Sequence, residues 1–286
     1  MDVAASPVAL ISVPYSSARR DYGMGRGPTA LLEEHGLAER LSSDGFDVAV
    51  DTVEIPDSLV PEIARTFELN RRLASSVRYA RAEGAFPIVL SGNCNCSWGA
   101  TAGAFADEDP AVLWLDAHAD FDVPDDNRSG FLDAMALSTL TGRCWQSLAA
   151  SIPDFRPVPE RNVLMSGVRD LDDHQRERLE QSEISVSWGA GDPVLEAFDP
   201  ESSRLYLHVD LDSLDPSVGQ ANEFPAPDGL SLGRVLSLQR EVVEGFEPVC
   251  GAVTAYNPAF DDDGRMARAA TEIVLGLARI GTGAEA

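Results

Sequence analysis

Asp116-Ala117-His118-Ala119-Asp120 follows directly on the apolar run Ala111–Leu115, and His208-Val209-Asp210-Leu211-Asp212 echoes it further along the chain. The run before the first motif is short, apolar and preceded by the turn residues 107–110, which reads as a buried strand. Side chains at alternate positions of an extended chain point to one side. Asp116, His118 and Asp120 therefore converge if strand pairing continues through them. A second strand at 205–211 puts His208, Asp210 and Asp212 on a common side. Several acids and a neutral imidazole have little reason to meet in a core unless a cation neutralises them. Oxygen ligands with a single histidine suit manganese or another hard divalent ion better than zinc.

Working outward, strands are expected at 8–13, 46–50, 87–90, 163–167, 184–187 and 249–256. Helices are expected at 28–41 (with Gly36 a weak point), 63–83, 97–105, 134–141, 172–181, 231–244 (capped by Ser231) and 265–280. Residues 19–27 read as a polar, glycine-containing loop. Strands and helices alternate, and the central strands are apolar on both faces. That pattern predicts a three-layer α/β/α fold with a doubly wound, mostly parallel sheet. No linker or composition break appears, so residues 1–286 are expected to form a single domain. The loops 91–96, 116–128 and 212–228 follow strands, and the C-terminal ends of parallel strands are where such sheets bind ligands.

The chain has 286 residues and a formal charge of -25, from 22 basic and 47 acidic residues. Such a surface repels nucleic acid and anionic membranes, so neither is an expected partner. Every basic residue is an arginine. The absence of lysine excludes a lysine Schiff base and a P-loop lysine. It fits a high-salt cytoplasm and, equally, a GC-rich genome. No apolar run approaches the roughly 18 residues of a membrane span. Residues 1–12 lack the basic region of a signal peptide. Four cysteines in a chain of this size do not form a disulfide framework, so the expected compartment is the cytoplasm.

Taken together, these motifs resemble the ureohydrolase family, which includes arginase, agmatinase and formiminoglutamase. Asp116 to Asp120 matches its DAHxD motif. Asp210-Leu211-Asp212-Ser213-Leu214-Asp215-Pro216 matches its DxDxxDP motif. Residues 23–37 resemble its N-terminal glycine loop and helix. Gly167-Val168-Arg169-Asp170-Leu171-Asp172 resembles its GLRDxD segment, and Tyr256-Asn257-Pro258 its VNP. The matches run in the family's order across nearly the whole chain.

The resemblance implies an arginase-like fold with a two-manganese site. Asp116 and Asp210 would take the bridging positions, His118 and Asp212 would complete one metal site, and Asp120 the other. The implied reaction is hydrolysis of a linear C–N bond in a guanidino, hydroxyguanidino or formimino compound, with Asp212 orienting the nucleophile and relaying its proton. A small-molecule substrate and a homo-oligomer, trimer or hexamer, are implied as well.

Four departures qualify the resemblance. The family's GGDHS loop reads Ser91-Gly92-Asn93-Cys94-Asn95-Cys96-Ser97, which puts Cys94 at a histidine ligand position. Cys94 is either a thiolate ligand, favouring zinc or iron over manganese, or a small buried thiol beside a weak or empty site. A Cys94–Cys96 disulfide is the less favoured reading. Asp133, in Ser129-Gly130-Phe131-Leu132-Asp133, stands at the proton-shuttle histidine. Ala255 stands where an acid would hold a guanidinium, with Glu223 or Asp261, Asp262 and Asp263 as candidate replacements. His208 replaces a serine or threonine, either as a neighbour supporting a ligand, as a compensating ligand, or as a satisfied core histidine.

At the substrate end, Asn127, Ser129 and Asp172 fall where arginase-like members hold an amino acid, while Asp122 replaces an asparagine. His35 and His174 read as surface or cap residues. Two other classes of function remain open. One is a catalytically silent arginase-fold subunit that binds a metal or a partner. The other, amide deacetylation, is disfavoured because no His-His pair occurs.

Overall fold

The computed structural model describes residues 6–191, Leu195, Phe198 and residues 200–284; the start of the N-terminal stretch read above, residues 1–5, lies outside them. Ten strands occur among the described residues: β1 (Ser6–Val13), β2 (Tyr15–Ser16), β3 (Arg19–Arg20), β4 (Phe46–Thr52), β5 (Phe86–Ser91), β6 (Ala111–Leu115), β7 (Val163–Val168), β8 (Ser185–Trp188), β9 (Arg204–Asp210) and β10 (Glu247–Thr254). The α-helices are α1 (Gly27–Thr29), α2 (Leu37–Ser43), α3 (Glu62–Ala82), α4 (Ser97–Ala104), α5 (Ala136–Leu140), α6 (Gln146–Ala149), α7 (Asp173–Glu180), α8 (Leu232–Glu241) and α9 (Arg265–Thr282).

Eight strands form one sheet in the order β4-β1-β5-β10-β9-β6-β7-β8, and every pairing is parallel. Each central strand sends alternate apolar residues to opposite faces. Val112 and Trp114 pack with Leu73, Val77 and Trp98 of α3 and α4. Leu113 and Leu115 pack with Val235 and Leu238 of α8 and Ile273 and Val274 of α9. These two cores make the three layers that the double-sided apolar strands predict. No helix among the described residues is long and apolar enough to cross a membrane.

The structure alters the expectations locally. The helix expected at 28–41 is divided: α1 runs into a wider π turn at Ala30–Glu34, and Gly36 at φ 60 then interrupts the chain before α2. The loop at 19–27 is largely structured, because β2 and β3 form a tight hairpin. Its central residues, Ser17 and Ala18, both have positive φ, the conformation that a right-twisted two-residue hairpin requires. Neither is the Asn-Gly that usually signals it. Strand β6 stops at Leu115, so Asp116, His118 and Asp120 do not continue the pleat. The chain turns instead, with Asp120 at φ 47.

Two glycines seat the segments that close over the sheet's C-terminal edge. A Cβ on Gly27 would stand 2.1 Å from the Tyr256 carbonyl oxygen, and one on Gly92 2.4 Å from that of Tyr15. Both contacts are with backbone, which yields little. Gly27→Ala should therefore destabilise the protein by about 1–3 kcal/mol, the usual range for an overpacked site. Denaturant titration checks this, and a midpoint equal to the parent's would show that the approach is not rigid.

Candidate metal centre

Four adjacent strands, β5, β10, β9 and β6, deliver the site from their C-terminal ends. Cys94 follows β5, Ala255 follows β10, Asp210 ends β9 with Asp212 two residues on, and Asp116, His118 and Asp120 follow β6. With Asp133 they line one cavity of about 160 Å³.

Each acid is held by specific donors. The indole N–H of Trp114 donates to Asp116 Oδ2 at 2.9 Å, and the His118 backbone N–H to Oδ1 at 2.7 Å. The Asp212 N–H donates to Asp210 Oδ1 at 2.8 Å, and the Cys94 thiol to Asp210 Oδ2 at 2.9 Å. Asp212 Oδ2 accepts from Asn222 Nδ2 at 3.1 Å and lies 3.4 Å from His118 Nδ1. Asp120 Oδ2 is buried with no hydrogen-bond partner.

Charge burial has large consequences here. Burial and neighbouring acids raise Asp116, Asp120 and Asp210 above the usual carboxylate range. Burial and Asp210 push the Cys94 thiol well up. For His118 burial acts downward, but Asp212 and Asp116 outweigh it and lift the imidazole to about 12. Burial acts to raise Asp212, yet His118 and Asn222 bring it down to about 2. Without a metal, a protonated His118 is the local counter-charge. A divalent cation would supply that charge instead and displace the proton.

The donor set fits divalent cations. Ligand atoms of Cys94, Asp116 and Asp120 lie within 4.8 Å of one another, as do those of Asp116, His118 and Asp212. Asp116 is common to both groups, and the orphaned Asp120 oxygen has no other evident partner. Asp215, the third acid of the DxDxxDP motif, stands apart and accepts the Ser217 and Gly229 backbone N–H groups.

Several expected residues stand elsewhere or act differently. Asn127, Ser129 and Asp172 do not line the cavity. Asn127 donates to the Phe131 carbonyl and accepts from Ser129, and Asp172 is the N-cap of α7, in a capping box with Gln175. Asp122 is buried and accepts from His174 and Gln175. His174, in the first turn of α7 and about a third exposed, ties that helix to the loop after β6.

The candidates to replace the missing acid at Ala255 are engaged as well. Glu223 accepts from Asn257, Asp261 accepts from Tyr256 and the first turn of α9, and Asp263 pairs with Arg265. Asp262 does not line the cavity. Asp133 is buried and clamped: Asn93 Nδ2 and the Cys94 N–H donate to Oδ2, and the Asn95 N–H to Oδ1. His208 does not reach the cavity. It lies wholly buried beneath Asp210, bonded to Tyr206 and Thr254. All four cysteines are free, which removes the Cys94–Cys96 disulfide.

The cavity is also lined by residues that sequence reasoning did not single out: Met24, Phe131, Asp170, Gln175, Asn222 and Phe224. Asp170 sits inside the GVRDLD segment, and that position could have marked it. Asn222 and Phe224 lie in the loop after β9 with no local pattern to announce them.

This is a three-layer α/β protein with a carboxylate, imidazole and thiol centre at the C-terminal edge of its sheet. The Arginase family matches residues 6–278, and the chain belongs to that family. An arginase of Bacillus subtilis (strain 168) is 28% identical over 290 residues, covering 94% of this chain and 97% of the relative. The crystal structure of arginase from Bacillus cereus superposes with a TM-score of 0.83 at 24% identity, covering 96% of this chain and 98% of that one. Proclavaminate amidino hydrolase from Streptomyces clavuligerus shares the fold, with a TM-score of 0.73 at 21% identity, covering 98% and 93%.

A pH dependence follows for the metal-free protein. A carboxyl whose folded pKa is raised binds its proton more tightly folded than unfolded, so stability falls as pH rises from about 4. For Asp133 the fall extends to about 7, the value to which burial lifts it against its N–H donors. Asp212 works the other way, and its contribution is lost as pH falls from about 4 toward about 2. Thermal melts of chelator-treated protein should decline across the raised window. Asp120→Asn or added Mn²⁺ should lessen the decline and raise the melting temperature at neutral pH. A less stable metal-free Asp120→Asn would contradict this electrostatic picture.

Proposed function

We propose that this arginase-family hydrolase cleaves a linear C–N bond in a guanidino, hydroxyguanidino or formimino compound with the help of two divalent cations. Asp116 and Asp210 would bridge the pair, His118 and Asp212 would complete one site, and Asp120 with Cys94 the other. Manganese is the first candidate for the oxygen-rich half; the thiol makes zinc or iron a contender at Cys94. Such ions lower the pKa of water and neutralise charge that develops on the reacting centre.

The residues themselves have separable tasks. Asp212, held by Asn222, orients the attacking water and accepts its proton. Asp133 holds the Cys94 loop through three N–H donors and, on the cavity wall, is placed to pass a proton to the leaving amine. Phe131 and Phe224, with ring centroids 6.4 Å apart, shield the mouth from water. Asp170, which lines the cavity 3.8 Å from His118 Nε2, offers a polar contact to the substrate. Ala255 offers no carboxylate to pair with a guanidinium, which favours a substrate other than plain arginine.

The observation that carries this reading is the convergence of Asp116, His118, Asp120, Asp210 and Asp212 in one cavity of an arginase-family chain. The alternative, a catalytically silent subunit, draws its support from Cys94, Asp133 and Ala255. Metal analysis of protein grown with manganese, combined with a screen for urea, ammonia and formamide release, separates the two. Two ions per chain with turnover of one compound class supports the hydrolase. Metal-free protein that stays inert after manganese is restored supports the silent subunit. With a substrate in hand, Asp212→Asn should lower kcat by about a hundredfold to ten-thousandfold, the span of general acid–base effects. An unchanged kcat would remove Asp212 from the chemistry.

A further inference from the structure

Beneath the cavity floor, the strand register builds a buried polar chain. Tyr206, His208 and Asp210 lie on one face of β9. Trp114 of β6 is the register partner of His208, and Thr254 of β10 is that of Asp210. Tyr206 Oη lies 3.0 Å from His208 Nδ1, and His208 Nε2 lies 3.3 Å from Thr254 Oγ1. Thr254 Oγ1 is in turn 3.3 Å from Asp210 Oδ2 and 3.2 Å from Cys94 Sγ. The Trp114 indole stacks on the His208 ring at 3.8 Å between centroids and 9° between planes. The same indole donates to Asp116.

We propose that His208 is a positioning residue: its Nε2–H fixes the Thr254 hydroxyl so that this group donates toward Asp210 and Cys94, holding both facing the cavity. The proposal rests on Asp210 and Cys94 being metal ligands.

Donor counting gives the direction. A neutral imidazole has one N–H, and the threonine and tyrosine hydroxyls have one proton each. If Nδ1 carried the imidazole proton, Nε2 would have to accept from Thr254. The Thr254 proton would then be lost to the site, and the Tyr206 proton would have no acceptor. With the proton on Nε2, Tyr206 donates to Nδ1, His208 donates to Thr254, and Thr254 donates to Asp210 Oδ2 or Cys94 Sγ. Every donor is used, and all point toward the cavity, as buried polar groups require. The Trp114 stack fixes the ring plane. Through the indole it also ties the ring to Asp116, so both bridging-position acids depend on one stacked pair. Outer partners of this kind commonly set ligand orientation and metal affinity.

Two measurements test the assignment, and the first needs no metal. Nitrogen NMR of histidine-labelled, metal-free protein should show His208 as the neutral Nε2–H tautomer; the Nδ1–H tautomer would overturn the proposal. The second is Mn²⁺ titration calorimetry on the parent, His208→Leu, the near-isosteric Thr254→Val, and the double variant. Each single change should weaken binding by about 10–100-fold. The double variant should lose little more than either one, because both break the same chain. Losses that multiply, or unchanged affinity with only a lower melting temperature, would mean that His208 merely fills the core. If the parent itself binds no metal, the ligand reading fails, while the tautomer result still decides the hydrogen-bond direction.

Discussion

Asp116, Asp120, Asp210 and Asp212 bring four carboxylates into one cavity at the ends of neighbouring strands. Like charges in a dry site repel and lose hydration, so the arrangement is costly unless something positive shares it. In the metal-free protein the available compensation is a protonated His118 between Asp116 and Asp212, and the upward shifts of Asp116, Asp120 and Asp210 reflect the charge it leaves uncompensated. Much of the surrounding structure is explained by the need to keep these groups together.

The supports come from outside the motifs. Arg169 donates to backbone carbonyls of Asp212, Ser213, Leu214, Ala226 and Pro227, and so pins the loop that carries Asp212 and Asn222. Asp133 secures the Cys94 loop through two backbone N–H groups and Asn93. The hairpin of β2 and β3 is tied to the same loop, because the Ser17 N–H donates to Asn93 Oδ1 at 2.9 Å. His208 and Trp114 support the acids from below. The replacements at Cys94 and Asp133 thus sit with Asn93 in one hydrogen-bonded patch, and their roles are best read jointly.

The sequence made the layers legible because apolar residues on both strand faces need helices on both sides, a requirement local to each strand. It also marked the clustered acids, because their spacing follows a strand end. The turn at Asp120 was not legible, since positive φ at a non-glycine residue leaves no compositional trace. The hairpin at Ser17 and Ala18 was hidden for the same reason. Asn127, Ser129 and Asp172 stay off the cavity wall because these short polar side chains satisfy one another or cap a helix. The partners of His208 lie on three strands, and only the register of the folded sheet brings Trp114 and Thr254 beside it. The phenylalanines at the mouth meet across loops far apart in the chain.

The central claim is that the buried acids exist to hold cations. The most direct measurement is an anomalous difference map at the manganese edge from crystals grown with Mn²⁺. The account predicts two peaks in the cavity, one beside Asp120 and Cys94 and one beside His118 and Asp212, with Asp116 reaching both. A map without peaks, with the His118 imidazole still lying between Asp116 and Asp212, would contradict it.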